Sequence, residues 1–306
     1  TFAIMNVCQS GDNFISSTDL YGGTVNLFTH TLKKLGIECR YADPSDPSNF
    51  EKLIDDKTRC FYAETLPNPY LRVFPIKEVS DIGRKHNIPL IMDNTASPVI
   101  CKPIEHGAAV VVHSLTKFIG GHGTVIGGCL IDGGNFDWTK DPKRQPLFNE
   151  PDASYGGAKW GEVVPQLTGA NVSFAVRARV CLLRDLGAPL APDNAWGIIQ
   201  GLETAPLRMK HLTPATLTLD PDDKSVFICP VSKKRITTQK CILIKTTGHV
   251  ILKSVFDKIK GQSKDLACPV TGEPIRESDV LNLARVSSGF AATGNVMAEK
   301  WRPGIG

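Results

Sequence analysis

The chain has 306 residues, a net charge of +4 and a hydrophobic fraction of 42%, which is the composition of an ordinary globular protein with one large or two smaller domains. It has no run of about 18 uncharged apolar residues, so the sequence does not predict a transmembrane helix. The N-terminus lacks an initiator methionine and a basic signal-peptide segment, and we expect it to lie inside a longer protein. Nine cysteines without CxxC pairs indicate reduced thiols and a cytoplasmic or nuclear location.

Charge divides the chain near residue 212. Residues 213–306 carry 14 Lys and Arg against 9 Asp and Glu, whereas residues 1–212 are nearly neutral. This change of sign predicts two units. The lysines of the second unit are dispersed and have no aromatic ladder, so we expect a solvated surface rather than nucleic-acid binding. We predict a first domain at 1–212, a polar linker at 213–223 and a second domain at 224–306.

The first unit alternates short apolar runs with amphipathic ones, which predicts a mostly parallel sheet covered by helices on both faces. The predicted strands are Asn13–Ser17, Glu38–Ala42, Thr58–Glu64, Pro89–Asp93, Ala109–His113 and Gly127–Ile131. The predicted helices are Thr24–Leu35, Asn49–Asp55 and Ile76–His86.

Ligands of such sheets bind beyond the carboxyl ends of the strands. The candidate residues there are Tyr21, Asn68, Asp93, Ser114, Thr116 and Lys117. An amine at Lys117 and a carboxylate at Asp93 fit an aldehyde cofactor with a ring nitrogen, which is pyridoxal phosphate. Burial of Lys117 would lower its pKa, as a lysine that bonds covalently to an aldehyde requires. Taken singly, Lys117 also fits a surface charge and Asp93 a turn cap.

The remaining candidates surround this pair. Ser114 and Thr116 offer hydroxyl groups to the cofactor phosphate. Tyr21 is placed to stack on the ring and Asn68 to bind its phenolic oxygen, although Tyr21 alone also fits a half-buried aromatic residue. The order and spacing of these residues favour the cofactor interpretation.

Six motifs carry a family resemblance: TDLYGGT, ETLPNP, LIMDNT, PIEHGAAVVVHSLTKFIGGHGTVIGG, VRARVCLLRDLGAPLAPDNAW and QGLETAPLRM. Together they resemble, over residues 1–211, the Cys/Met-metabolism family of pyridoxal-phosphate enzymes, and within it the O-acetylhomoserine sulfhydrylases. The resemblance implies the large domain of fold type I, truncated at both ends. It also implies that Lys117 bonds to the cofactor, Asp93 binds the pyridinium and Ser114 and Thr116 hold the phosphate, with Asn68 at the ring oxygen.

The resemblance implies a γ-replacement reaction on an amino-acid substrate. Lysine removes the substrate α-proton, acetate leaves the γ-carbon, and sulfide or a thiol takes its place. Because the match lacks the family's flanking elements, the active site is expected to be incomplete, and exposed apolar surface predicts a homo-oligomer.

The second unit contains a weak repeat, FICPVSKKRI at 227–236 and LACPVTGEPI at 266–275. Between the copies lie the apolar stretch CILIKTTGHVI and a predicted helix at Lys253–Lys260. A zinc site built from Cys229, Cys241, His249 and Cys268 is an alternative, but zinc ligands normally come as close CxxC pairs. We therefore expect no metal and a small α+β unit with two mirrored loops.

These loops resemble a U-box, the metal-free relative of the RING domain. The tail DVLNLARVSSGFAATGNVMAEKWRP resembles the C-terminal region of the nitric-oxide-synthase-interacting protein family of ubiquitin ligases, which implies a possible nuclear location. The resemblance implies that Val231 and Pro269 form an apolar contact for a ubiquitin-conjugating enzyme. A plain interaction module is the alternative at this surface.

Three hypotheses for function follow. The chain is a pyridoxal-phosphate enzyme of homocysteine and methionine biosynthesis fused to a U-box-like module, a U-box ubiquitin ligase or splicing-associated interaction protein, or an inactive fusion of two gene fragments. Neither a membrane partner nor a nucleic-acid partner is expected.

Overall fold

The computed structural model describes residues 1–68, 70–212, 218–219, 227–234, 241–244, 246–247, 249–261 and 266–283. The strands of the first unit are β1 Asn13–Ser17, β2 Glu38–Ala42, β3 Thr58–Glu64, β4 Leu90–Asp93, β5 Val110–Ser114 and β6 Gly128–Asp132. Its helices are α1 Phe2–Met5, α2 Gly22–Asn26, α3 Ser48–Glu51, α4 Ile76–Lys85, α5 Pro146–Asn149, α6 Trp160–Thr168, α7 Ser173–Arg177, α8 Arg184–Leu186 and α9 Pro192–Leu212. Segments Leu27–Leu32 and Ala178–Leu183 continue α2 and α7 with π-helical geometry.

The six strands form one sheet in the order β2-β1-β3-β4-β5-β6. All neighbours are parallel except β5 and β6, which are antiparallel. The sheet therefore confirms the mostly parallel α/β prediction. The first three predicted strands match to the residue, and the other three shift by one residue at one or both ends.

The first predicted helices differ more from the structure. The helix predicted at Thr24–Leu35 begins earlier, at Gly22, and becomes π-helical at Leu27. The helix predicted at Asn49–Asp55 is a single turn, Ser48–Glu51. Short helical segments depend on packing against the sheet more than on sequence period, so their bounds are poorly encoded locally.

Apolar side chains cover both faces of the sheet. Cys60 and Tyr62 of β3 belong to the core on one face, and Phe61 and Ala63 belong to the core on the other. This alternation is the period-two geometry of a strand buried on both sides. On the first face, the fully buried Trp138 stacks with two phenylalanines, with centroid distances of 4.3 and 5.4 Å. Because core side chains cover both faces of the sheet, a ligand-binding site is expected at the edge where the strands end.

Short elements follow the first unit. They are β7 Thr218–Leu219, β8 Phe227–Ile228, β9 Cys241–Ile244, β10 Val250–Leu252, α10 Lys253–Lys260 and β11 Val280–Leu283. β7 lies within the predicted linker and pairs with β8, and β10, β9 and β11 form an antiparallel sheet. Helix α10 has the predicted bounds. Residues 284–306, which carry most of the tail motif, lie outside the described residues.

No helix among the described residues combines the length and the hydropathy needed to cross a membrane. The nine cysteines are all free thiols.

Candidate functional site

A cavity of about 950 Å³ opens at the edge where β3, β4 and β5 end. It is lined by Tyr21, Thr24, Glu64, Leu66, Asn68, Asp93, Thr95, Ala96, Ser114, Lys117, Phe118, Gly121, Leu207 and Arg208. Five of the six predicted site residues are in this lining. The structure therefore brings together residues that are almost a hundred positions apart in the sequence.

Strand geometry explains why these side chains meet. In the parallel register, Glu64 at the end of β3 lies beside Asp93 at the end of β4. Glu64 lies two residues after Tyr62 on β3, and Asp93 lies two residues after Ile91 on β4. Tyr62 and Ile91 belong to the core on the same face of the sheet. Because side chains alternate along a strand, the two carboxyl groups face the same side of the sheet. Ser114 ends β5 on this side, two residues after Val112.

The Asp93 carboxylate is fixed by two neighbours. The backbone N–H of Thr95 donates to Oδ1 at 2.9 Å, and the Tyr62 hydroxyl donates to Oδ2 at 3.2 Å. Burial, followed by the charges of Asp93 and Glu64, raises the pKa of Tyr62 well above its ordinary value. Tyr62 therefore remains a hydrogen-bond donor, and the carboxylate is held in one orientation at the cavity wall.

The turn that carries Lys117 is tied to Asp93 through Thr95. The Ser114 N–H donates to Thr95 Oγ1 at 2.8 Å, and the Lys117 N–H donates to the Ser114 carbonyl at 3.2 Å. The Gly121 N–H closes the next turn on the Lys117 carbonyl at 2.8 Å. Lys117 itself is exposed, so the burial that we predicted for this side chain is wrong. Its environment is an open cavity rather than the interior, because the turn projects beyond the sheet.

Thr116 is placed differently from its neighbours. Its Oγ1 accepts a hydrogen bond from the Gly127 N–H at 3.1 Å and donates to the Gly127 carbonyl at 3.4 Å. Thr116 is not in the cavity lining. In this structure its hydroxyl connects the turn to the segment before β6. Binding of the cofactor phosphate by Thr116 stays a prediction.

The long helix α9 supplies two lining residues that the sequence did not single out, Leu207 and Arg208. The Arg208 guanidinium donates to the Phe118 carbonyl at 2.6 Å, to the Ile119 carbonyl at 3.1 Å and to the Gly201 carbonyl at 2.7 Å. It thereby binds the lysine-bearing turn to α9. The motif QGLETAPLRM contains Arg208, but nothing local in it indicates a contact 90 residues away.

Glu64 is the second acid of the site and was also not singled out, although the motif ETLPNP contains it. Its carboxyl group is buried, with 8% exposure, and Oε1 accepts a hydrogen bond from the Tyr21 N–H at 2.8 Å. Burial raises the pKa of Glu64 to about 8; the Tyr21 N–H opposes this and the Asp93 charge adds to it. The site thus contains two neighbouring carboxyl groups in unlike environments.

The second unit contains two loops of the same construction. The Cys229 N–H donates to Lys234 and the Cys229 carbonyl accepts from Lys233, at 2.9 and 2.8 Å. Cys268 repeats this with Glu273 and Gly272, at 2.8 Å in both bonds. The fifth residue of each loop is left-handed, with φ of 55° at Lys233 and 76° at Gly272.

Both cysteines of these loops are buried in one small core. Val231 and Pro269, the predicted contact residues, are half-buried. Within the described ranges, no three His, Cys, Asp or Glu side chains are grouped so that they could hold a metal ion.

Comparison with known proteins identifies the first unit. Residues 1–219 match the family model of the Cys/Met metabolism PLP-dependent enzymes. The chain belongs to this family. The matched region extends seven residues beyond Leu212, and the predicted resemblance of the first unit is confirmed.

Two curated relatives illustrate the similarity. An O-acetyl-L-homoserine sulfhydrylase of Leptospira meyeri is 50% identical over 213 residues, which cover 68% of this chain and 48% of the relative. A homocysteine/cysteine synthase of Saccharomyces cerevisiae is 41% identical over 213 residues, which cover 69% and 47%. The chain spans about half the length of the curated relatives that it matches.

Solved structures agree in fold, which is α/β of fold type I. A putative O-acetylhomoserine (thiol)-lyase of Campylobacter jejuni has a TM-score of 0.64 and 40% identity, with 70% of this chain and 52% of that chain covered. That structure contains N'-pyridoxyl-lysine-5'-monophosphate. The O-acetylhomoserine sulfhydrylase of Wolinella succinogenes has a TM-score of 0.56 and 33% identity, with 67% and 54% covered.

Pyridoxal phosphate is the cofactor of this family, and the donor set of the cavity fits it. Lys117 offers an amine to the cofactor aldehyde. Asp93, in the same cavity, offers an anion to the ring nitrogen. The Ser114 side chain adds a hydroxyl group to the lining. An amine, a carboxylate and a hydroxyl are the groups that recognise the aldehyde, the pyridinium and the phosphate.

Proposed function

We propose that the first unit binds pyridoxal phosphate through Lys117 and Asp93 and serves an O-acetylhomoserine sulfhydrylase reaction. The observation that carries this proposal is the presence of both side chains in one cavity at the carboxyl edge of the sheet. The similarity to sulfhydrylases and homocysteine synthases supports the substrate class. The overall reaction replaces acetate by sulfide or a thiol at the γ-carbon of an amino acid.

Each residue has a separate task in this proposal. Bound cofactor supplies an electron sink for the charge that develops on the substrate. The Lys117 amine accepts the substrate α-proton, which its position on an exposed turn permits. The Asp93 carboxylate, oriented by Tyr62 and Thr95, pairs with a protonated ring nitrogen and keeps it cationic.

The other predicted residues hold the cofactor in place. Ser114 donates its hydroxyl to the phosphate, and Thr116 contributes by fixing the turn between Ser114 and Lys117. Tyr21 packs on the ring and Asn68 binds its oxygen.

The test is covalent trapping at Lys117. The full chain is mixed with pyridoxal phosphate, reduced with borohydride, digested and analysed by mass spectrometry. We expect a pyridoxyl group on Lys117 in the parent chain and none at that position in Lys117→Ala. The matched control is Lys140→Ala, which removes an exposed lysine outside the cavity lining and leaves the Lys117 adduct unchanged.

Two results would refute parts of the proposal. Absence of a Lys117 adduct in the parent chain would refute cofactor binding by this site. An adduct without homocysteine formation from O-acetyl-L-homoserine and sulfide would refute the reaction for this chain and leave cofactor binding in place.

We propose as a second function that residues 224–306 form a U-box-like module that binds a ubiquitin-conjugating enzyme. The two Cys-Pro-Val loops with the same backbone hydrogen bonds support this proposal, because a U-box presents paired loops beside a small helix. Val231 and Pro269 are the contact residues. Val231→Ala should weaken binding of a ubiquitin-charged conjugating enzyme, and unchanged binding and discharge would refute the ligase reading.

A fusion of two gene fragments without either activity is the remaining hypothesis. Transcript sequencing across codons 205–225 tests it, since reads that do not join the two units would show that the chain is an artefact of a gene model. Continuous reads, together with homocysteine formation by the purified chain, would refute the inactive fusion.

A further inference from the structure

Glu64 connects the strand edge to the two segments that carry Tyr21 and Asn68. Its Oε1 accepts the Tyr21 N–H at 2.8 Å. The Asn68 N–H and the Thr24 hydroxyl face the same carboxyl group and favour its ionised form. One side chain therefore binds the loop before α2 and faces the loop after β3, which otherwise belong to different parts of the chain.

Burying this acid is costly for the fold. The group is 8% exposed, and its register neighbour on β4 is another carboxylate, Asp93. A buried carboxyl beside a like charge is disfavoured relative to an apolar residue, unless its hydrogen bonds are needed. The hydrogen bond that Glu64 accepts comes from a backbone N–H at the cavity wall rather than from a cation, which points to a role in arranging the cavity.

The position of the Tyr21 backbone also determines where its ring lies. A Cβ atom built on Gly23 would come within 2.7 Å of Tyr21 Cε1. The ring therefore lies over Gly23, close to its own backbone. Any displacement of the Tyr21 N–H moves the ring at the cavity.

We propose that Glu64 is a positioning residue, which holds the Tyr21 and Asn68 segments in the arrangement that receives the cofactor ring. The proposal rests on the proposed function for the identity of the ligand. Glu64 itself touches neither the substrate nor the reacting atoms in this scheme. It acts through the two segments that it joins.

The pH at which Glu64 ionises depends on the groups that face its carboxyl group. The Tyr21 N–H and the Thr24 hydroxyl face it from α2 and its N-terminal loop, the Asn68 N–H from the loop after β3, and the Asp93 carboxylate from β4. On its own strand the facing group is the Tyr62 phenol. A glutamine at this position keeps an acceptor for the Tyr21 N–H and cannot ionise.

The experiment compares Glu64→Ala and Glu64→Gln in the full chain without cofactor and after titration with pyridoxal phosphate. Amide hydrogen exchange of Tyr21 and Asn68 reports the positions of the two segments without depending on activity. We expect exchange to rise about 10-fold or more in Glu64→Ala, because a hydrogen bond to a carboxyl group is lost. We expect Glu64→Gln to retain most of the protection, since the acceptor remains.

Cofactor affinity gives the second measurement. We expect the dissociation constant of pyridoxal phosphate to rise about 10-fold in Glu64→Ala and to stay within about threefold in Glu64→Gln near pH 7. The control Glu78→Gln, at an exposed position on α4, should change neither quantity. Rescue by glutamine distinguishes positioning from a general loss of packing, and unchanged exchange outside these segments shows that the fold is intact.

The outcomes separate this proposal from the proposed function. If the parent chain forms no Lys117 adduct, the proposed function fails, while increased Tyr21 exchange in Glu64→Ala would still support the tether. If the adduct forms and Glu64→Ala leaves both exchange and affinity unchanged, the positioning role is refuted. Should Glu64→Ala not fold, Glu64→Leu, which is similar in size and has no acceptor, replaces it in both measurements, and unchanged exchange and affinity in that variant would refute the positioning role.

Discussion

Replacement of Glu64 by glutamine should change how the stability of the chain depends on pH. Burial raises the pKa of Glu64 from its ordinary value near 4.5 to about 8. The folded chain therefore keeps a proton that the unfolded chain releases between these two values. Stability falls as pH rises through this window, and a glutamine, which cannot ionise, removes the effect.

The size of the effect follows from the shift. One pKa unit corresponds to about 1.4 kcal/mol, so raising the pH from about 5.5 to about 8 should cost the parent chain roughly 3 kcal/mol relative to Glu64→Gln. For a domain of this size, 1 kcal/mol shifts the midpoint of thermal unfolding by about 2–4 °C. The two curves should therefore separate by roughly 6–12 °C over this range.

The assay is thermal unfolding of the cofactor-free full chain, followed by circular dichroism at several pH values. Every other group titrates in both proteins, so the difference between the parent chain and Glu64→Gln isolates Glu64. Glu78→Gln, at an exposed site, should follow the parent curve. Parallel curves for the parent chain and Glu64→Gln would refute the reasoning, because Glu64 would then titrate equally in the folded and unfolded chain.

Three further changes test the packing that supports the site. Asp12→Ala leaves Arg59 buried without its 2.7 Å ion-pair partner and should lower the free energy of unfolding by about 3–5 kcal/mol in urea denaturation, whereas a loss below about 1 kcal/mol would contradict a buried pair. Trp138→Ala empties the stacked core of the first unit and should cost about 3–5 kcal/mol in the same assay. Gly201→Ala places a methyl group against the Gly120 carbonyl, so it should weaken pyridoxal-phosphate binding by about 10-fold in a spectroscopic titration, and unchanged affinity would show that this helix does not set the lysine-bearing turn.

The strands, and the shared edge at which Asp93, Ser114 and Lys117 lie, were predicted correctly because their signals are local. Apolar runs such as LIMD and VVVHS predict buried strands, and the residues directly after them must lie at one edge of a parallel sheet. This reasoning placed Asp93, Ser114 and Lys117 at a common edge, and the structure puts all three in one cavity. The alternation of side chains along a strand is fixed by the backbone, so it can be predicted from the sequence without knowledge of the fold.

Other features of the site depended on contacts between distant segments. The role of Arg208 follows from hydrogen bonds to residues about 90 positions earlier, and the burial of Glu64 follows from the approach of α2. The direction of the Thr116 hydroxyl depends on where the chain returns at Gly127. No sequence period encodes such pairings, because they arise when elements pack.

The sequence by itself determined the alternation of strands and helices, the cofactor family and the placement of Asp93 and Lys117 at the carboxyl edge of the sheet. The tertiary structure decided that Lys117 is exposed, that β6 runs antiparallel, and that a second acid, Glu64, lies beside Asp93. The physical reason is the range of the interactions. Strand period and turn residues act over a few positions, whereas burial, carboxyl pKa values and carbonyl capping are set by whichever segments the fold brings within a few ångströms.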